Sequence, residues 1–271
     1  MCFDNKLGGM DPGRRPPAPD STPGPTGDAR YAETGIQARV LEEYSGRTIA
    51  AALWRKLRRR LFGSPRSLEP AAVYNGLVVF DCPGLHGGGL WAAQRFIRVL
   101  MELGLGRCPR LFEFCAGPGY IGYSLLAEGI CDTLVLADVN PAAIEAARFT
   151  AAFNGIEHLV QIYLSDGLDT IPDGQRWDLV VGNPPNHSPT GPAEDLLGSD
   201  PGWNLHRRFY RQIGGFIKPG GHVIMMEDAV ASTPETFEPM IREGGGQLTA
   251  APPMTDFRGS RSPFYCVVSR W

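Results

Sequence analysis

No stretch of this 271-residue chain contains the run of about 20 apolar residues that a membrane-spanning helix requires, so no membrane role is expected. The first residues lack an apolar core after a basic start, and no signal peptide is read there. Six cysteines, at positions 2, 82, 108, 115, 131 and 266, form no Cys-x-x-Cys pair and have no metal-ligand spacing. Reduced thiols in a cytoplasmic compartment are the simplest expectation. The five histidines (86, 158, 187, 206 and 222) are equally scattered, which argues against a metal site. Neither sign of charge dominates, and the formal net charge of −3 disfavours a polyanion as the main partner. No Gly-Lys-Ser/Thr follows a glycine turn, which disfavours Walker A phosphate binding. No internal repeat is found.

What remains is a chain that is 43% hydrophobic and 20% charged, a balance that suits a globular protein with a sizeable core. Residues 1–33 carry Pro12, Pro16, Pro17, Pro19, Pro23 and Pro25 among polar residues and glycines. Such a segment buries too little apolar surface to offset its ordering entropy, and it is expected to be a disordered tail. Residues 34–76 read as a helical extension: Ile36, Val40 and Tyr44 share a face, and Ile49, Leu53, Leu57 and Leu61 recur every four residues. Arg55, Lys56, Arg58, Arg59 and Arg60 make this stretch basic, either as a solvated helix face or as a nucleic-acid contact.

From residue 77 to residue 271 the chain alternates short apolar runs with helical patterns of 10–15 residues. LVVF (77–80), RLFEFC (110–115), TLVLAD (133–138), LVQIYL (159–164), DLVVG (178–182) and HVIMME (222–227) read as strands. A final pair, QLTAAPPM and FYCVVSRW, carries no helix signal between its members. The expected fold is α/β, a Rossmann-like, seven-stranded, mostly parallel sheet with an antiparallel C-terminal edge strand.

Three strand ends concentrate the chemistry. EFCAGPG (113–119) closes one strand and opens a helix, where glycines let backbone N–H groups approach a ligand. Gly117, Gly119 and Gly122 match the spacing of a dinucleotide fingerprint, so a nucleotide cofactor stays open on these residues alone. Asp138 ends the next strand, where an acid can accept both hydroxyls of a ribose. Asp166 ends the third, placed to accept from an exocyclic amine such as that of adenine.

FEFCAGPGYIGYSLLAEG, LVLADVNPAAIEAARFTAAFNGI, LSDGL and DLVVGNPPN follow one another as in class I S-adenosylmethionine-dependent methyltransferases. The chain most resembles their Asn-Pro-Pro group, which includes the glutamine methyltransferases of release factors and ribosomal proteins and several base N-methyltransferases. The resemblance covers residues 77–271 and implies S-adenosylmethionine as cofactor. It implies that Glu113, Gly117 and Gly119 border the donor's methionine part, Asp138 its ribose and Asp166 its adenine. Cys115, Ala116, Val139, Asn140, Ser165, Gly167 and Asn183 complete the implied donor site. Cys115 departs from the family, which usually has glycine there.

The catalytic expectation rests on Asn183, Pro184, Pro185 and Asn186. A planar nitrogen conjugated to a carbonyl, ring or amidinium is a poor nucleophile, because its lone pair is delocalised. Acceptors aimed at its N–H groups favour a more nucleophilic geometry and stabilise growing positive charge. The Asn183 side-chain oxygen and the Pro184 carbonyl are two such acceptors, and the locked φ of proline holds them in place. Asn186 stands where the family usually has an aromatic residue. With His187, it suits a small, polar acceptor such as an amide or guanidine on an amino acid, small molecule or protein. A guanidinium would want carboxylates, with Glu194, Asp195, Glu227 and Asp228 as the candidates. N-methylation of a base in ribosomal or transfer RNA is the alternative, with nucleic acid as partner.

Overall fold

The computed structural model describes residues 68–82, 85, 89–188, 198–255, 259 and 261–271. The proline-rich tail, the basic run at 55–60, and Glu194 and Asp195 lie outside the described residues, as does the helical extension up to residue 67. The rest of that extension is not helical. Glu69–Tyr74 (β1) pairs antiparallel with Leu77–Asp81 (β2) across a turn at Asn75 and Gly76, where both residues have positive φ. The Asn-Gly pair at 75–76, flanked by β-branched and aromatic residues, is the signal that could have found this pairing, which the helical reading passed over.

The main sheet is built from Cys108–Phe114 (β3), Cys131–Asp138 (β4), Val160–Leu164 (β5), Trp177–Gly182 (β6), Ile217–Asp228 (β7), Gln247–Ala250 (β8), Pro253–Thr255 (β9) and Arg261–Arg270 (β10). Its path runs β5-β4-β3-β6-β7-β10-β8, which is the expected seven strands, and three-residue β9 pairs with β10 as an eighth. β3 to β7 are mutually parallel, and β10 is antiparallel to both its neighbours. The expected antiparallel C-terminal strand is thus present, with short β8 lying outside it.

Helices cover both faces: Gly89–Glu102 (α1), Tyr120–Ala127 (α2), Pro141–Phe153 (α3), Asn204–Ile213 (α4) and Pro234–Glu243 (α5). α5 was missed in the sequence, because Pro239 interrupts its pattern. Its start was nonetheless legible: Thr233 forms a capping box with Thr236, Pro234 follows at the first position, and Phe237, Met240 and Ile241 form its buried stripe. This helix carries the chain from β7 across to β8, which pairs antiparallel with β10 as the helix-free final pair suggested.

One apolar cluster, including Phe96, Leu111, Tyr123 and Leu134, packs between one face of the sheet and α1 and α2. A second, including Phe112, Trp177, Phe209 and Phe237, fills the other face under α4 and α5. The hairpin is tied to α3: Asn154 Oδ1 accepts from the Val78 N–H at 2.9 Å, and Thr150 Oγ1 accepts from the Phe80 N–H at 2.9 Å.

Candidate active site

The strand order reverses between β3 and β6, which makes the crevice beyond their carboxyl ends the topological switch point. Phe114 and Gly182 are register partners there, so Cys115 and Asn183 leave the sheet side by side. Gly182 is required by this closeness, since a Cβ would lie 2.7 Å from Met225 Sδ and 3.0 Å from the Phe114 carbonyl oxygen. The buried strand therefore stops at glycine and hands directly to Asn183.

A cavity of about 830 Å³ opens at this point, within the range of cofactor sites. Glu113, Cys115, Ala116, Gly117, Asp138, Val139, Asn140, Asp166, Asn183, Pro184, Pro185 and Asn186 all line it. Gly119, Ser165 and Gly167 are not part of its wall. Gly119 (φ 88) makes the turn into α2, and Ser165 Oγ accepts from the Thr170 N–H at 3.2 Å behind the wall.

The glycine turn is held by the acids around it. Gly117 (φ 54) donates its N–H to Asp138 Oδ2 at 2.7 Å, and Asn140 donates its own to Asp138 Oδ1 at 2.8 Å. Each carboxylate oxygen has a second lone pair, leaving acceptor capacity in the wall of the cavity. Asn140 caps α3 by accepting from the Ala142 N–H at 3.0 Å. Cys115 adopts φ 51, which explains the family's usual glycine there, and its burial pushes the thiol well above its usual range.

Glu113 is 1% exposed, and burial pushes its carboxyl up to about 8 against the lowering effect of two backbone donors. Those donors are the N–H groups of Gly122 at 2.7 Å and Ile121 at 3.3 Å, in the first turn of α2. Gly122, the third glycine of the fingerprint spacing, is a packing requirement. A Cβ there would meet Leu134 Cδ1 at 2.6 Å and Glu113 Oε2 at 2.7 Å. Gly122→Ala is expected to destabilise the protein by about 2 kcal/mol through overpacking, measured by urea unfolding; a change below about 0.5 kcal/mol would contradict this account.

Several lining residues carried no sequence signal. Arg208 of α4 donates to both oxygens of Asp166, from Nη1 to Oδ2 at 3.2 Å and from Nη2 to Oδ1. Asp166, expected to await an amine, is thus already paired with a cation at this end of the cavity. Gly167 is favoured by its positive φ of 63, and a Cβ there would also lie 3.3 Å from the Arg208 guanidinium. Trp91 and Phe264 line the cavity with ring centroids 5.0 Å apart, and the Arg95 guanidinium sits 4.7 Å over the Trp91 ring.

The two described acids proposed for a guanidinium do not line the cavity. Glu227 is fully buried against His206 Nε2 at 3.1 Å. Asp228 accepts from the Val230 N–H at 2.8 Å and faces His187 Nε2 at 3.2 Å. Asp200, which the sequence did not single out, lines the cavity, but His206 Nδ1 contacts its Oδ2 at 2.7 Å and the N–H of Leu205 donates to its Oδ1 at 2.9 Å.

A Rossmann-like sheet with one antiparallel strand beside its edge, a glycine turn and strand-end acids around a switch-point cavity define the class I methyltransferase architecture. A family model of the methyltransferase small domain matches residues 93–243. The chain belongs to that family. It is 30% identical over 164 residues to a ribosomal RNA small subunit methyltransferase C of Hahella chejuensis, covering 60% of this chain and 43% of that protein. It is 27% identical over 219 residues to a release factor glutamine methyltransferase of Cereibacter sphaeroides, covering 76% of this chain and 69% of that one. The chain therefore spans less than half the length of the Hahella relative. Among solved structures, a T. thermophilus 16S rRNA N2 methyltransferase in complex with AdoMet and guanosine superposes with a TM-score of 0.54. That match has 17% identity and covers 76% of this chain and 51% of the other, a likeness of fold. Among the described residues, no helix is long and apolar enough to cross a membrane.

Proposed function

We propose that the chain transfers a methyl group from S-adenosylmethionine to a neutral planar nitrogen, a side-chain amide such as that of glutamine. The observation that carries this reading is the side-by-side exit of Cys115 and Asn183 from β3 and β6 into one cavity. The walls suit the donor on three counts. A Cβ on Gly117 would meet nothing within 4 Å, so its backbone borders open space. Asp138 keeps acceptor capacity for a ribose. Val139 is 64% exposed and lines the cavity as an apolar surface that a purine can cover.

When bound, the donor supplies an electrophilic methyl group on a positively charged sulfur that leaves as a neutral thioether. The residues of this chain do the rest by positioning. The side-chain oxygen of Asn183 and the carbonyl of Pro184 accept from the acceptor's N–H groups and orient its lone pair toward the donor end of the cavity. A methylated amide cation is strongly acidic and gives its proton to water, so no strong side-chain base is required. A neutral amide is favoured over a guanidinium because Glu227 and Asp228 are not part of the cavity wall, and Asp200, which is, already faces His206.

The second reading, methylation of an exocyclic amine on an RNA base, is favoured by the Trp91–Phe264 pair, whose rings offer an apolar surface to a base. Incubation with methyl-labelled donor and either glutamine-bearing proteins or ribosomal RNA, followed by hydrolysis, separates the two. Label in methylglutamine supports the first reading and label in a methylated base supports the second. Label in neither, with donor bound, sinks both.

A further inference from the structure

His206 lies outside the roles assigned above, although it is buried between two carboxylates. It stands in the first turn of α4 at 1% exposure, between Asp200 at 4% and Glu227 at 0%. Its Nδ1 contacts Asp200 Oδ2 at 2.7 Å and its Nε2 contacts Glu227 Oε1 at 3.1 Å. A neutral imidazole has one N–H, so one ring nitrogen would point a lone pair at a carboxylate oxygen. Only the imidazolium donates to both.

These contacts form part of a closed circuit. The backbone N–H of Asp200 donates to the His187 carbonyl at 2.6 Å, and the His187 N–H donates to the Gly198 carbonyl at 3.0 Å. His187 Nε2 faces Asp228 Oδ2 at 3.2 Å, and Asp228 follows Glu227 in β7. The path from His187 through Asp200, His206, Glu227 and Asp228 returns to His187, the residue directly after Asn186.

We propose that His206 is a positioning residue whose doubly paired ring locks this circuit and so fixes the far end of the Asn183–Asn186 loop at the cavity. The proposal rests on the preceding functional reading only in treating that loop as the acceptor side. Burial works against the charged ring and also raises the Glu227 carboxyl, but Glu227 and then Asp200 hold the imidazolium up to about 9. Among the described residues its ring neighbours carry no charge there: Trp203 meets it edge-on at 5.3 Å, Phe237 lies tilted at 5.0 Å, and burial pushes Tyr210, near Glu227, well above its usual range. A histidine raised in the folded state contributes fully below its ordinary value of about 6.5, and that contribution is lost as pH rises through about 9.

The test is amide hydrogen exchange on the full chain, read as protection factors at His187 and Asp200. The N–H of Tyr123, which donates to the Gly119 carbonyl at 2.9 Å on the donor side, is the internal reference. His206→Gln is expected to lower protection at His187 and Asp200 about tenfold or more, with Tyr123 within about twofold of wild type. Calorimetry with S-adenosylhomocysteine should give a Kd within about threefold of wild type. The wild-type protein should lose the same protection as pH rises through about 9. Glu227→Gln, which keeps the shape and removes the charge, should lose it at least about one pH unit lower. Unchanged protection at His187 and Asp200 relative to Tyr123, or an unshifted midpoint in Glu227→Gln, would overturn the proposal; the second variant also decides the matter should His206→Gln not fold. Failure of the wild-type protein to bind S-adenosylhomocysteine would defeat the functional reading instead, leaving the exchange result legible.

Discussion

Asn183→Ala is expected to slow methyl transfer about 300-fold, within the range seen when one preorganised acceptor or donor is removed from a site of developing charge. Donor affinity should change less than about threefold, because the carboxylates and glycine turn that shape the donor end are untouched. The reason lies in where the side chain is held. Gly182 seats β6 against the Phe114 carbonyl and Met225, so Asn183 leaves a fixed strand end. Pro184, buried, and Pro185, half-buried, allow little backbone freedom after it. Removing the amide takes away one acceptor without disturbing the frame. Single-turnover transfer at saturating donor, with calorimetry alongside, separates the two effects. A rate within about threefold of wild type would remove Asn183 from the chemistry.

The second large effect is on binding. Asp138→Ala is expected to weaken S-adenosylmethionine about 100-fold or more, since hydrogen bonds to a charged acceptor contribute about 1.5–3 kcal/mol each and a ribose offers two. The substitution also frees the N–H groups of Gly117 and Asn140, which Asp138 holds at 2.7 and 2.8 Å, so the glycine turn loses its anchor. Asp138→Asn keeps one acceptor oxygen and should weaken the donor by less, about tenfold. Calorimetric titration of both variants, with their melting temperatures checked by circular dichroism, measures this. Equal affinities for wild type and Asp138→Ala would contradict the assignment of this wall to the donor.

Much of this site was legible in the sequence because its parts sit at the ends of buried strands. Runs such as LVLAD and DLVVG announce a parallel sheet, and residues at their carboxyl ends meet at one edge whatever the loops do. That is why Asp138, Gly117 and Asn183 could be named before their neighbours were known. The missing parts depend on tertiary approach. Arg208 reaches Asp166 across 42 positions, and nothing in LSDGL says that its carboxylate will meet a cation. His206 sits in a helix just before two arginines at 207 and 208, and only the arrival of Glu227 from β7 makes it the centre of an ionic circuit. Trp91 and Phe264 come from opposite ends of the domain to one wall, supplying the aromatic surface that Asn186 does not.

The glycine spacing taught a narrower lesson. Gly117, Gly119 and Gly122 spell a dinucleotide fingerprint, yet Gly122 is needed for its approach to Glu113 and Leu134. The same letters serve helix packing against a buried acid. In the same way, the acids after the Asn-Pro-Pro motif looked available in sequence, and folding paired Glu227 and Asp228 with histidines.

The most direct test is calorimetric titration of the full chain with S-adenosylmethionine, set against NADH as the competing titrant. The expected result is one saturable site for S-adenosylmethionine, displaced by S-adenosylhomocysteine, and no heat of binding from NADH. Saturable binding of NADH, or a folded chain that takes up no S-adenosylmethionine, would contradict it.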